Sequence, residues 1–365
     1  MAARCRRLLV ARHGRIKPSV ADFNFLINAA SQDGDPFQCE LWLRRMIWSR
    51  AAPDIVSYTT LISAFARAGD PNRAEKWFSR MQLRGLQPSL ITLNSLLDAS
   101  AKRGRLQAAE WWFQYMEDSD LRPDSISFCA MLNACAKAKD DTRAKIWFQK
   151  MCDNNFSPDL IAYNSFISAC AGKGDVPQAE ALLREAGARR LSPNLVTYNA
   201  VLHAAARSST REDLQKAKEY LGRLQSAIGP DIVSFNCILH ACARLSQVAE
   251  AERTLRSLKQ SLQPNLISFN AMISVHCKAG DISAATSCLD ELEARRIRPD
   301  TATFTPILAE LSRIRDQRRI TAIFHRMRQA GLAPDTSYPI AGSDFNSLRR
   351  PQREAEKKTG LFGWI

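Results

Sequence analysis

Six asparagines, Asn24, Asn94, Asn164, Asn199, Asn236 and Asn270, stand at matched places along the chain. Each is followed at the end of the same stretch by an acid or an amide: Asp54, Asp124, Asn194, Asp231, Asn265 and Asp300. Three further stretches carry Thr59 with Ser89, Cys129 with Asp159 and Thr305 with Asp335 at the same two places. An asparagine presents a donor and an acceptor on one planar amide, whereas an aspartate can only accept. Residues of these types offer hydrogen bonds, not proton transfer.

The rest of the composition argues against catalysis and metal chemistry. The five histidines (His13, His203, His240, His276, His325) are scattered, and His203 and His240 merely share a polar slot of adjacent stretches. No paired-carboxylate, phosphate-loop or zinc-deaminase signature occurs. None of the ten cysteines is spaced C-x-x-C; Cys135, Cys170 and Cys242 share a slot filled elsewhere by Ala30, Phe65 or Ala205, so they read as small buried residues in a reducing setting. No cofactor is expected. No apolar run approaches the ~18 residues that would span a bilayer.

The elements that position these pairs follow from a period. The stretch Leu90 to Asp124 returns nine times, as 20–54, 55–89, 90–124, 125–159, 160–194, 195–231, 232–265, 266–300 and 301–335. A fixed period of this length indicates stacked units that bury their apolar faces against neighbours. In each unit a first helix is expected to begin near an aromatic or leucine at position four (Phe23, Tyr58, Leu93, Phe128, Tyr163, Tyr198, Phe235, Phe269, Phe304). Glycine at position fifteen (Gly34, Gly69, Gly104, Gly174, Gly280) suits a left-handed helix end; Lys139, Ser209, Ser246 and Arg315 replace it elsewhere. A second helix carries a small residue at position twenty, such as Ala74 or Ala109. Trp77-Phe78, Trp111-Trp112-Phe113 and Trp147-Phe148 follow as core knobs, with Met46, Met81, Met116, Met151 and Met327 at position twenty-seven. A closing proline, Pro53 through Pro334, turns the chain into the next unit. The fold class is all-α: nine helix-turn-helix repeats of about 35 residues forming a solenoid.

The openings LVTYNAVLHAAAR and LISFNAMISVHCKAGD, the small residue after the glycine and the closing Pro-Asp resemble the pentatricopeptide repeat, in its pure-repeat class. Residues 336–365 are too short for the editing or nuclease domains some members carry. The resemblance implies a right-handed superhelix with single-stranded RNA along its concave face, one base per repeat. It implies that position five and the last position face the base edge, and that an aliphatic side chain at position two wedges between bases. Position two is Val56, Ile91, Ile126, Ile161, Val196, Val233 and Ile267, with Ala21 and Ala302 at the ends. By the family's correspondence Asn with Asp favours U, Asn with Asn favours C, and Thr305 with Asp335 favours G. Thr59 leans to a purine and Cys129 is left open. The implied site is U-purine-U-any-C-U-C-U-G. Capping of a helix start by the position-five asparagine is the structural alternative; it was not expected to account for the restricted last position.

Charge supplies a second signal. The net charge is +14; residues 1–19 carry six cations and no acid, and residues 336–365 add +2, which leaves +6 on the repeats. Position thirteen is basic at Arg67, Lys102, Lys137, Arg207, Arg244, Lys278 and Arg313, the exceptions being Gln32 and Gly172. One cation per repeat makes a stripe suited to successive phosphates, although a cation at a helix end also answers the helix dipole. Residues 1–19 are expected to be an organelle-targeting segment, for chloroplast or mitochondrion, or else a basic arm. Residues 20–335 are expected to form the repeat domain and 336–365 a flexible tail. The expected role is a monomeric, non-enzymatic RNA binder in organellar RNA processing, stabilisation or translation, with a recruited processing enzyme or ribosome as possible partner. A helical scaffold for proteins is the alternative.

Overall fold

A computed structural model describes residues 18–208 and 210–332, the side chain of Ala227 excepted. Residues 1–17 and 333–365, with the basic segment, Pro334, Asp335 and the tail, lie outside the described residues, as does Ser209. Among the described residues the regular structure is all helical: eighteen helices, a leading and a trailing one in each of the nine repeats. They fall into two compact units, Met1–Ser208 and Ser209–Ile365, divided inside the sixth repeat between its two helices, Leu195–Arg207 and Arg211–Ala227. No helix among the described residues is long and apolar enough to cross a membrane.

The leading helix of every repeat starts at position one, three residues before the expected aromatic: Val20, Ile55, Leu90, Ser125, Leu160, Leu195, Ile232, Leu266 and Thr301. The cause is a cap. The last residue of the preceding stretch is extended, and its side chain accepts from the position-three N–H, which satisfies one of the four orphan donors of a helix start. The trailing helices all start at position seventeen, where Asp35, Asp70, Asp140, Asp175, Asp281 and Asp316 cap in the same way one residue earlier. The position-fifteen glycines all have positive φ, from +67° at Gly104 to +82° at Gly174. Lys139, Ser246 and Arg315 adopt the same left-handed geometry without glycine.

Packing follows the small-and-large pattern. Ala74, Ala109, Ala144, Ala179 and Ala285 are fully buried, as are Met46, Met81, Met116 and Met151. Phe113 packs edge-on against Trp147 and Phe128, and Phe148 against Tyr163, so aromatic contacts carry the core from one repeat to the next within the first unit. Trp111 departs from the expected core set. It is 55% exposed and stacks on Tyr115 at the surface, because its place on the trailing helix turns it away from the stripe that holds Trp112 and Phe113. Cys135, Cys170 and Cys242 are buried free thiols, and burial pushes them up to about 12, 12 and 11.

Leu97 and Ile91 lie on one helix, the first fully buried and the second 67% exposed. Leu97→Ala is expected to cost ~2–5 kcal/mol and Ile91→Ala less than ~0.5 kcal/mol. Urea unfolding followed by circular dichroism measures both, and equal losses would contradict this division of the helix.

Candidate nucleic-acid interface

The residue that ends each repeat does two jobs at once. Asp54, Asp124, Asp231 and Asp300 accept from the backbone N–H of Ser57, Ser127, Ser234 and Thr303 at 2.8 to 2.9 Å. Asn194 and Asn265 do the same for Thr197 and Ser268 at 3.1 Å, Asp159 for Ala162 at 2.9 Å, and Ser89 for Thr92 at 3.3 Å. The end residue also takes the amide of position five. Asn24 Nδ2 donates to both oxygens of Asp54 at 3.1 Å, and Asn94 and Asn270 donate to Asp124 and Asp300 at 3.1 Å. Asn236 donates to Asn265 at 3.3 Å. Asparagine at position five therefore sits inside the helix and caps nothing. Helix capping, assigned beforehand to the wrong position, accounts for the confinement of the last position to Asp, Asn or Ser.

Sequence reasoning missed a third member. The position-three hydroxyl of the following repeat donates to the amide oxygen of position five: Ser57 to Asn24 at 2.5 Å, Ser127 to Asn94 at 2.6 Å, Ser268 to Asn236 at 2.7 Å and Thr303 to Asn270 at 2.8 Å. These hydroxyls are fully buried. The recurrence of Ser or Thr two residues before the position-five residue, in seven of the nine repeats, was the available signal. Departures are informative. Cys129 offers no amide oxygen, and the facing residue is Ala162; its thiol lies 3.8 Å from Asp159, and burial with that carboxylate pushes it up to about 12. Thr59 meets Thr92 at 2.8 Å, with Ser89 3.0 Å from the same hydroxyl. Asn164 Oδ1 is buried with no partner; the Thr197 hydroxyl bonds to Asn194 at 3.0 Å. Asn199 and Asp231 fall in different units, and the partner of Thr305, Asp335, lies outside the described residues; Thr305 bonds back to the Thr301 carbonyl at 2.7 Å.

Beside the position-five residues, most of them half-buried, with Asn236 buried and Thr305 exposed, stands an exposed aliphatic at position two. In the first unit these are Val56, Ile91, Ile126, Ile161 and Val196, 58–67% exposed; in the second, Val233 and Ile267, 49% and 50%. Ala21 and Ala302 are exposed as well. A valine or isoleucine left half to two-thirds in water in seven successive repeats is a feature that packing does not require.

The position-thirteen cations are more engaged than a bare stripe. Arg67 donates to the Ser31 carbonyl at 3.1 Å and to its hydroxyl, and Lys278 to the Ala243 carbonyl at 2.8 Å, each capping the end of the preceding leading helix. Lys102 pairs with Asp98 at 2.6 Å and Arg313 with Glu310 at 2.5 Å. Arg207 Nε is buried without a partner, while Lys137 and Arg244 are exposed. Among the described residues no cluster of three or more His, Cys, Asp or Glu could hold a metal ion.

Stacked helical hairpins whose leading helices are capped from the repeat before, most of them beside an amide, define an α-solenoid class. The chain belongs to the pentatricopeptide repeat family. Models described as PPR repeat family match residues 53–102, 88–137 and 264–313; those described as pentatricopeptide repeat domain match 146–207, 181–242 and 224–279; and those described as PPR repeat match 22–50 and 126–156. No curated protein matches the chain. Among the solved structures similar to it are the pentatricopeptide repeat protein PPR10 in complex with an 18-nt psaJ RNA element, and a cysteine-substituted PPR10 with the same element. Each is 22% identical with a TM-score of 0.60 over 90% of this chain and 52% of the other, a likeness of fold. This chain spans about half the length of the solved chains it matches.

Partial burial opposes ionisation of Asp54 and Asp300. The hydrogen bonds from Ser57 and Asn24, and from Thr303 and Asn270, outweigh it and hold both carboxyls below their ordinary range. Their contribution to stability is therefore complete above the unfolded pKa of about 3.9 and is lost as pH falls through the folded value. Asp54→Asn and Asp300→Asn keep a capping side chain and are expected to flatten the loss of stability on acidification below about pH 4. Unfolding curves from pH 3 to 7 test this; slopes matching the parent protein would contradict it.

Proposed function

We propose that the chain binds single-stranded RNA sequence-specifically, each repeat reading one base. The observation that carries the reading is the juxtaposition, repeat after repeat, of an exposed aliphatic with a half-buried amide held by an acid. An aliphatic edge can separate successive bases while the polar pair meets a base edge. The amide still has capacity to do so. Its oxygen takes one hydroxyl and its nitrogen donates to the end residue, which leaves one lone pair and one N–H on the same plane. Asp at the end adds acceptors, matching the N–H on the edge of uracil; Asn adds a donor, matching the acceptor nitrogen of cytosine.

In this reading Asn24/Asp54, Asn94/Asp124, Asn199/Asp231 and Asn270/Asp300 select U. Asn164/Asn194 and Asn236/Asn265 select C, Thr305/Asp335 selects G and Thr59/Ser89 a purine, with Cys129/Asp159 unselective. Val56, Ile91, Ile126, Ile161, Val196, Val233 and Ile267 wedge between bases. Lys137, exposed, is the stronger phosphate ligand of the stripe, and the cations already spent on carbonyls or carboxylates are the weaker ones. The solved PPR10 complexes support the reading by showing an RNA element on a protein of this fold. The protein acts by occupancy in an organelle, protecting, remodelling or delivering its transcript, with residues 1–19 as the address. Exposed Trp48 and Leu83 on the trailing helices, 88% and 86% exposed, favour an additional protein partner over a purely solitary role.

Affinity for U-purine-U-any-C-U-C-U-G is expected to fall at least about tenfold, ~1.4 kcal/mol, when its central C-U-C-U becomes A-A-A-A. Equal filter-binding curves would sink the base reading and leave an electrostatic binder. Asn270→Thr is expected to move the preference at the eighth base from U toward G, measured with a four-way base series at that position. Deleting residues 1–19 is expected to abolish organelle import of a fluorescent fusion; unchanged import would refute the address.

A further inference from the structure

One junction in the first unit is built in reverse. At Gly104 and Gly174 a glycine ends the leading helix, and a Cβ added there would meet the next repeat's position-thirteen cation, at 3.4 Å from Cβ of Lys137 and 3.4 Å from Cβ of Arg207. Between the fourth and fifth repeats the two residue types change places. Lys139 ends the helix Ser125–Ala138 in the left-handed conformation, φ 58° and ψ 38°, and position thirteen of the next repeat is Gly172. A Cβ at residue 172 would lie 2.5 Å from Lys139 Cβ and 2.9 Å from its Cα, so only glycine fits under that lysine. The cation missing from the stripe at the fifth repeat is thus brought in by its neighbour. The glycine also leaves a cavity of about 310 Å³, room for about ten waters. Lys139, Ser168, Gly172, Val196, Asn199 and His203 line it, with alanines between them. Val196 and Asn199 are the position-two and position-five residues of the sixth repeat.

We propose, resting on the RNA reading above, that this cavity seats the ribose and phosphate of one nucleotide, at the linkage between the bases facing the fifth and sixth repeats, with Lys139 as the phosphate ligand. The lining suits that group. Small residues allow the sugar a close approach, the Ser168 hydroxyl and Asn199 amide can meet a 2′-hydroxyl, and the lysine stands at the wall where the exchanged glycine admits it. At the Gly104 and Gly174 junctions the position-thirteen side chain, Lys137 or Arg207, stands against the glycine instead, so the backbone is held more deeply at the Lys139 linkage than at those two.

A series of nine-base RNAs, each with one neutral methylphosphonate linkage, tests the proposal on the full chain. The substitution between the fifth and sixth bases is expected to weaken binding about tenfold, the loss ordinary for a contact to a charged group, and the other linkages clearly less. Lys139→Asn keeps a residue that tolerates the left-handed conformation and is expected to erase the difference between linkages. Lys139→Gly combined with Gly172→Lys restores the arrangement of the other junctions and is expected to erase it too, while binding the unmodified RNA. Uniform penalties along the RNA, a maximum at another linkage, or a maximum that survives Lys139→Asn would overturn the proposal while the RNA reading stands. Failure of the parent chain to bind the unmodified RNA would overturn both.

Discussion

The hydrogen bond that an end-residue side chain accepts from the backbone N–H three residues on is the interaction on which the rest depends. It starts each leading helix, and the same oxygen atoms hold the position-five amide of the repeat before. A helix of 13 or 14 residues is marginal by itself in water, so its start has to be fixed from outside, and here the preceding repeat fixes it. Because the cap and the amide share one carboxylate, the junction sets helix phase, inter-repeat spacing and the aim of the recognition side chain together. The buried position-three hydroxyl completes the triangle by fixing which end of the amide faces which neighbour.

Much of this was legible beforehand, for identifiable reasons. The period, the left-handed glycines and the alternation of Ala74 with Trp77-Phe78 are local or near-neighbour signals, and a repeated sequence states them nine times over. The helix start was misplaced because the aromatic at position four marks the buried face, whereas the start is marked by a polar residue belonging to the previous stretch. Trp111 was misplaced because adjacent bulky residues share a sequence address but not a helix face. The position-three hydroxyls went unread because Ser or Thr near a helix start looks like solvent-facing filler. Their function comes from the amide of another repeat, a relation between residues 33 apart in most junctions.

The stripe of cations shows how two physical demands can occupy one position. A lysine or arginine in the last turn of a leading helix answers the partial negative charge of the carbonyls, its own or its neighbour's, as Arg67 and Lys278 do. A chain of phosphates would draw on the same charges. Sequence spacing cannot separate these uses, because both call for a base at the same phase of the helix. The partners of each side chain separate them. The exchange of Lys139 and Gly172 belongs to the same theme: the charge is kept in space although it moves along the chain.

The double duty of the end residue has a consequence for how such a protein can change over generations. Aspartate and asparagine are nearly equal in size and both cap a helix, so a single substitution between them leaves the scaffold standing while altering which hydrogen bonds the junction can offer. Replacement by a residue that cannot cap would weaken the very turn that aims the neighbouring amide. Under the proposed reading, drift between the two pyrimidines is mechanically cheap and drift to a non-capping residue is not. The scaffold itself thereby biases which new targets lie one mutation away.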